Sequence, residues 1–328
     1  MGTYVRTQSI DHAIGEHGKL TLKVTSGDVR VRGVAGGDAH IRATFEISAS
    51  SDADADRIFE TVQLRVSREP RSSSGELSVE EHEGMPSVGA VIGRLFGANG
   101  HYELSVEAEV PSAAQMDLMA VSSDVDVAGL SGEQRYRSVS GDLRISDAAG
   151  SVAVETVSGD ATVRGDEALA VHAQAVSGDL SITAPTLRSL RANTVSGDVE
   201  LETALADDGD FRVETVSGDL DVGLVGNATF EIHGLSTDVS SELDHRLEGQ
   251  VDRRRLIIGT GGPRLIFNSM SGDVNVRRPR RINARPVVAA VAPAATPAEQ
   301  ESQLEILRAL ERGEIDVNEA TRRLAGRP

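Results

Sequence analysis

The tripeptide Ser-Gly-Asp, set between aliphatic residues, recurs at Asp142, Asp160, Asp179, Asp198 and Asp219, at intervals of 18, 19, 19 and 21 residues. A period this short and regular is that of one coil of a β-solenoid, a unit too small to bury an apolar face except against its neighbours. Degenerate copies extend the series to Asp124 (Ser122-Ser123-Asp124) and Asp238 (Ser236-Thr237-Asp238), and detached full copies stand at Asp28 and Asp273.

Aliphatic residues fall in columns around each aspartate. Three positions before it stand Val121, Val139, Val157, Val176, Val195, Val216, Leu235 and Met270. One position after it come Val125, Leu143, Ala161, Leu180, Val199, Leu220, Val239 and Val274, and three after it Val127, Ile145, Val163, Ile182, Leu201 and Val222. All three columns read as stacked core. The alternation that follows each aspartate is that of a strand with one buried face. Val152 and Val154 keep it upstream while Val157 breaks parity, so a bend is expected between Val154 and Val157, dividing each coil into at least two strands.

The turn chemistry is self-consistent. Glycine before Asp tolerates a positive φ, and Asp and Ser side chains can accept hydrogen bonds from nearby amides. Asp124, Asp142, Asp160, Asp179, Asp198, Asp219, Asp238 and Asp273 therefore form an expected structural turn ladder. Ser123 and Thr237 replace the glycine, which predicts a differently shaped turn in those two coils.

The rest of the chain divides by pattern. Residues 1–111 read as an antiparallel β cap containing a first solenoid layer at Thr25–Val29 and a short helix over Ser51–Val62, whose Asp52, Asp54 and Asp56 suit a helix N-terminus. Antiparallel hairpins are expected between Glu60 and Val110, around an apolar glycine-rich loop in 84–100. Residues 112–282 form the solenoid and 283–295 an Ala/Pro linker. In 296–328, Thr296-Pro297-Ala298-Glu299 makes a capping box for a helical hairpin bearing Leu304, Leu307, Leu310 and Leu324. The expected fold is thus an all-β, right-handed parallel solenoid with an antiparallel cap and a small C-terminal α-hairpin.

Composition narrows the chemistry. The 328 residues hold no cysteine, excluding disulfides, thiolate nucleophiles and Cys-ligated zinc. A net charge of −18 argues against nucleic acid. The exception is a basic run, Arg277, Arg278, Arg280, Arg281 and Arg285, read mainly as a counterweight to an acidic solenoid end and alternatively as a phosphate tether. The amino terminus shows no signal peptide and no stretch approaches the roughly 20 apolar residues of a membrane span, so the expected address is cytoplasmic, with peripheral membrane contact conceivable through 84–97 or the arginines.

The repeats Thr/Ser-Val-Ser-Gly-Asp-Val/Leu, following the Pro-capped strand Val110-Pro111, resemble the bacterial putative-adhesin family of β-strand-repeat proteins over residues 100–276, a domain of unknown function. The segment Leu304–Ile315 with Glu319-Ala320 is similar to a short helical module accompanying such repeats. The resemblance implies a non-enzymatic surface or scaffold protein, linked in some relatives to envelope stress, and supplies no catalytic residue.

Direct search finds no catalytic constellation. An aspartate column could attract calcium, yet one Asp and one Ser per coil is a thin supply for a cation that takes six to eight oxygens. Glu155, Glu200, Glu202 and Glu214 read as solvated strand faces, His172 and His233 lie in different coils, and Gly259–Pro263 lacks the lysine of a phosphate loop. No cofactor is expected. The function expected is a non-catalytic interaction scaffold that engages protein partners through its repeat face, or self-associates through the hairpin. The alternatives are a polysaccharide-acting solenoid enzyme and a calcium-binding adhesin-like module.

Overall fold

The structure, a computed structural model, describes residues 2–67, 75–81, 102–250 and 252–280. The expected hairpin at 296–328, with Leu304, Leu307, Leu310 and Leu324, lies outside the described residues, as do the linker, the 84–97 loop, Arg281 and Arg285.

About three quarters of the described residues are in strands, and most pairings are parallel. The central coils are β7 (Gln115–Ala128), β8 (Glu133–Ser140), β9 (Leu143–Ser158), β10 (Ala161–Ser177), β11 (Leu180–Ser196), β12 (Val199–Leu205), β13 (Phe211–Ser217) and β14 (Leu220–Leu224). Each coil has a short side after its aspartate and a long side leading to the next Ser-Gly-Asp corner. Successive coils pair in register, so that on the short side Leu143, Ala161, Leu180, Val199 and Leu220 lie over one another. On the long side the same holds of Val152, Val171, Leu190 and Phe211. These residues are buried in one continuous core. The columns one and three positions after Asp are therefore interior.

The column three positions before Asp is not. Val157, Val176 and Val195 are 48%, 49% and 49% exposed, and Val121, Val139, Val216, Leu235 and Met270 are exposed with them. The expectation that this column is core is overturned, and so is the placement of the bend. Val152, Val154 and Thr156 keep strict inward parity, Val157 continues it on the outer face, and the chain turns only after Ser158. Equivalent valines still lie in register, because their neighbours pair coil to coil, Thr156 with Ala175 and then Thr194, and Ser158 with Ser177 and then Ser196. The periodicity is solenoidal, with the valine ladder facing water.

Coil order also departs from sequence order. β19 (Arg264–Ser271) pairs in parallel with β13 on one side and with β15 (Ala228–Ser236) on the other, while β20 (Val274–Arg277) lies between β14 and β16 (Val239–Ser241). The Asp273 coil is inserted between those of Asp219 and Asp238, which the sequence had suggested were neighbours. The hairpin of β17 (His245–Gln250) and β18 (Arg253–Ile258), whose β18 pairs antiparallel with β15, finishes this end. It was not anticipated.

At the other end β2 (Lys19–Val34) stacks on β7 with Asp28 in register with Asp124, so the detached N-terminal copy is indeed a layer of the same stack. β5 (Glu76–Glu81) and β6 (Tyr102–Pro111) both run parallel to β2, where hairpins alone had been expected. The antiparallel pairings are β4 (Leu64–Ser67) with β5, β3 (Asp38–Ala49) with β6, and β1 (Gly2–Ala13) with β3, which complete the cap. α1 (Asp52–Val62) is N-capped by Ser51, whose side chain accepts from the Asp54 amide, with Asp52 and Asp54 in its first turn. Phe59 of α1 packs edge-on against Phe45 of β3 at 5.4 Å between ring centres, and Arg6 of β1 pairs with Asp52 and Asp56.

Candidate interaction surface

The corner sets the surface. The Asp142 amide donates to Oδ1 of Asp124 at 2.9 Å, and the same bond recurs upward: Asp160 to Asp142 at 3.2 Å, Asp179 to Asp160 and Asp198 to Asp179 at 2.9 Å, Asp219 to Asp198 at 2.8 Å. It continues through the inserted coil, from the Asp273 amide to Asp219 at 2.7 Å and from the Asp238 amide to Asp273 at 2.8 Å. Each carboxylate thus accepts the one corner amide that the sheet ladder would leave unpaired, offsetting the repulsion of a column of like charges. The glycine beside it has positive φ, +115° at Gly159 and +132° at Gly178, and Ser123 and Thr237 avoid that region while remaining buried. β7 accordingly runs unbroken through Ser123. Among the described residues no group of three or more His, Cys, Asp or Glu is placed to hold a metal ion.

Beside this corner runs the valine ladder. On the long side, residues five and three positions before Asp both point outward, so two columns of side chains flank a straight furrow. One wall is the valines; the other is Met119, Arg137, Glu155, Gln174 and Asn193. Its floor is the small inward-facing column Ala120, Ser138, Thr156, Ala175 and Thr194, and its volume is ≈ 570 Å³. Valine is β-branched and stiff at χ1, and the valines stand one per coil on paired strands, so the stripe is a rigid ridge. The signal that could have found it was parity: counting from Val152 and Val154 puts Val157 outside without any bend.

A second constellation was read differently from the sequence. Glu202 is 7% exposed, not solvated, and Arg277 is 8% exposed. The two lie in register across Gly223, which leaves the space their side chains need: a Cβ on Gly223 would come within 2.1 Å of Glu202 Oε2. Arg277 pairs with Glu202 through Nη1, with Glu200 at 2.6 Å through Nη2 and with Asp221 at 3.4 Å, and Arg280 also reaches Glu200 at 2.9 Å. Desolvation pulls the Arg277 pKa down, but the hydrogen bond to Glu202 and the charges of Glu202, Glu200 and Asp221 outweigh it and hold the pKa above its ordinary value. Arg277 and Arg280 therefore cancel solenoid carboxylates, and the Arg278 amide reaches Glu242 at 3.5 Å. The long side also buries Tyr136, whose hydroxyl donates to Gln134 Oε1 at 3.1 Å, while Gln134 Nε2 bridges the carbonyls of Leu130 and Ala149 at 3.0 Å each.

Stacked coils with a hydrogen-bonded aspartate corner and an outward aliphatic ridge define a β-solenoid whose repeats are structural. The chain belongs to the Toastrack DUF4097 family, whose model matches residues 101–188 and 175–277, more than half of its length. Solved structures similar to it include a putative lipid binding protein from Parabacteroides distasonis (12% identity, TM-score 0.41, covering 82% of this chain and 96% of that one). Others are a putative adhesin from Bacteroides fragilis (13%, 0.32, 82% and 97%) and a putative cell adhesion protein from Clostridium sporogenes (10%, 0.28, 84% and 100%). No curated protein matches the chain. Among the described residues no helix is long and apolar enough to cross a membrane.

Proposed function

We propose that the chain is a non-catalytic interaction scaffold whose recognition surface is the long side of the solenoid. The observation that carries this reading is the valine ladder: one half-exposed aliphatic side chain per coil from Val121 to Val216, continued by Met270, on a rigid backbone. Isolated exposed valines need no explanation, but a contiguous stripe costs solubility and usually marks contact. The residues that repeat are committed to turns and packing, and the non-repeating buried pair, Glu202 with Arg277, is spent on itself.

The test replaces Val157 and Val176 with lysine. Both side chains point to solvent, so the variant should keep its circular dichroism and melting temperature while losing the complexes that the wild type forms on native electrophoresis of cell extract. Complexes unchanged by the double variant, or hydrolysis or elimination of a polysaccharide by the purified wild type, would contradict the reading.

A further inference from the structure

We infer that the valine stripe docks a second copy of this chain, the two solenoids packing stripe to stripe with their coils in opposite order. The inference rests on the scaffold reading and names the partner.

Periodicity supplies the first argument. The stripe repeats once per coil, about every 4.8 Å, the spacing of adjacent strands. An α-helix laid along it presents a turn every 5.4 Å and slips by about 3 Å over five coils, losing its seats. Another stack of strands has the same repeat and stays in step, each valine meeting one opposite along the whole stripe. A second copy offers that repeat and the same apolar chemistry together.

Charge supplies the second. At −18 the chain repels itself over most of its surface, so two copies approach most easily where both are neutral. The stripe and the serines after it, Val139-Ser140, Val157-Ser158, Val176-Ser177 and Val195-Ser196, carry no charge.

The flanking column then fixes the register. The stretch from Val121 to Met270 is centred on Val176, and a two-fold axis there sets Val157 opposite Val195 and Val139 opposite Val216. In the flanking column Arg137 then meets Glu214 of the other copy, Glu155 meets Asn193, Gln174 meets its own equivalent and Met119 meets Asn268. Within this column no like charges are opposed, and Arg137, already paired with Asp117 at 2.8 Å in its own chain, faces a further carboxylate in each copy. Against this, the two aspartate ladders share one margin of the pair, a repulsion that salt screens, so association is measured at about 0.15 M salt.

The experiment is sedimentation of the purified full chain over a concentration series, together with oxidative cross-linking of cysteine variants, which the cysteine-free sequence makes unambiguous. The inference requires a dimer for the wild type and at least about a tenfold weaker dimer for Val157→Lys/Val176→Lys. It also requires disulfide-linked dimers from Val176→Cys alone, and from Val157→Cys mixed with Val195→Cys faster than from either alone. The cross-links keep the test decisive should the lysine variant misfold. A wild type that stays monomeric, or cross-linking of Arg164→Cys on the short side as fast as Val176→Cys, overturns it. So does a monomer that co-sediments with phosphatidylglycerol vesicles through the stripe. If the wild type is monomeric while the lysine variant still loses complexes from extract, the second copy is refuted and the scaffold reading stands.

Discussion

At Gly178 the chain turns with φ +132°, and a Cβ there would stand 2.2 Å from the Gly159 carbonyl oxygen of the coil below. Gly178→Ala should therefore cost about 2 kcal/mol or more by denaturant titration, combining left-handed strain with a contact to backbone that cannot yield. Only the first reason was legible in Val-Ser-Gly-Asp, because the second depends on how closely the coils stack. Asp179 tests the hydrogen bond itself. Asp179→Asn keeps an oxygen for the Asp198 amide and should be close to neutral, whereas Asp179→Ala should lose about 1 kcal/mol, the worth of one exposed charge-assisted bond. Equal stability of the two variants would remove the ladder from the account. Arg277→Leu should be more damaging, about 3 kcal/mol, because it strands the buried Glu202 carboxylate. Nothing in Glu200-Leu201-Glu202 announced that burial: its cause is Arg277, brought alongside by a pairing that skips from β14 to β20.

Within the strands, the column after each aspartate and the column before it look alike in sequence, both being aliphatic at every coil, and yet they lie on opposite faces. Their difference is legible only as parity. Apolar composition points inward by habit, but a folded protein leaves much apolar surface outside, and the strand runs on without a bend through Val157 to Ser158. The faces can be told apart by stability. Leu180→Ala, which opens a cavity in the interior, should cost about 2–5 kcal/mol, whereas Val176→Ala on the ridge should stay within about 0.5 kcal/mol. Comparable losses would mean that both columns are core. In the cap, His40 of β3 faces Asp11 of β1 in register at 2.7 Å, and the hydrogen bond to Asp11 raises the His40 pKa above 6.5 against a smaller desolvation effect, with further help from the Asp11 charge. Because the folded value is the higher one, this pair supports the β1–β3 pairing at acidic pH and the support fades as pH rises through the His40 titration. An NMR titration of His40 should shift downward in Asp11→Asn, with the charges of Asp38 and Glu109 still acting on the ring.

For the whole molecule, a regular interval was enough to identify stacking, and enough to mislead about order. The eighteen-to-twenty-one-residue rhythm runs on to Asp238, but stacking order departs from it after Asp219: the chain builds the outer coil and its capping hairpin before returning to lay β19 and β20 in the gap. Sequence distance cannot reveal such an insertion, since Asp238 sits at a normal interval from Asp219 and Asp273 does not. Removing residues 263–328 tests the order. It should abolish hydrogen-exchange protection at Phe230 and Ile232, whose strand pairs, among the described residues, with β19 and β18, while Val171 and Ala192 stay protected. Retained protection at Phe230 would mean that β15 rests directly on β13.

The inside and outside of the coil carry both the fold and the proposed function, and thiol labelling of the native protein separates them in one measurement. Single cysteines at Val176 and Leu180 provide the comparison in a chain with no other thiol. Val176→Cys should react with a maleimide as fast in the folded protein as in denaturant under conditions that keep it monomeric, and Leu180→Cys should react only on unfolding. A protected thiol at 176 in the monomer, or a reactive one at 180, would contradict the account.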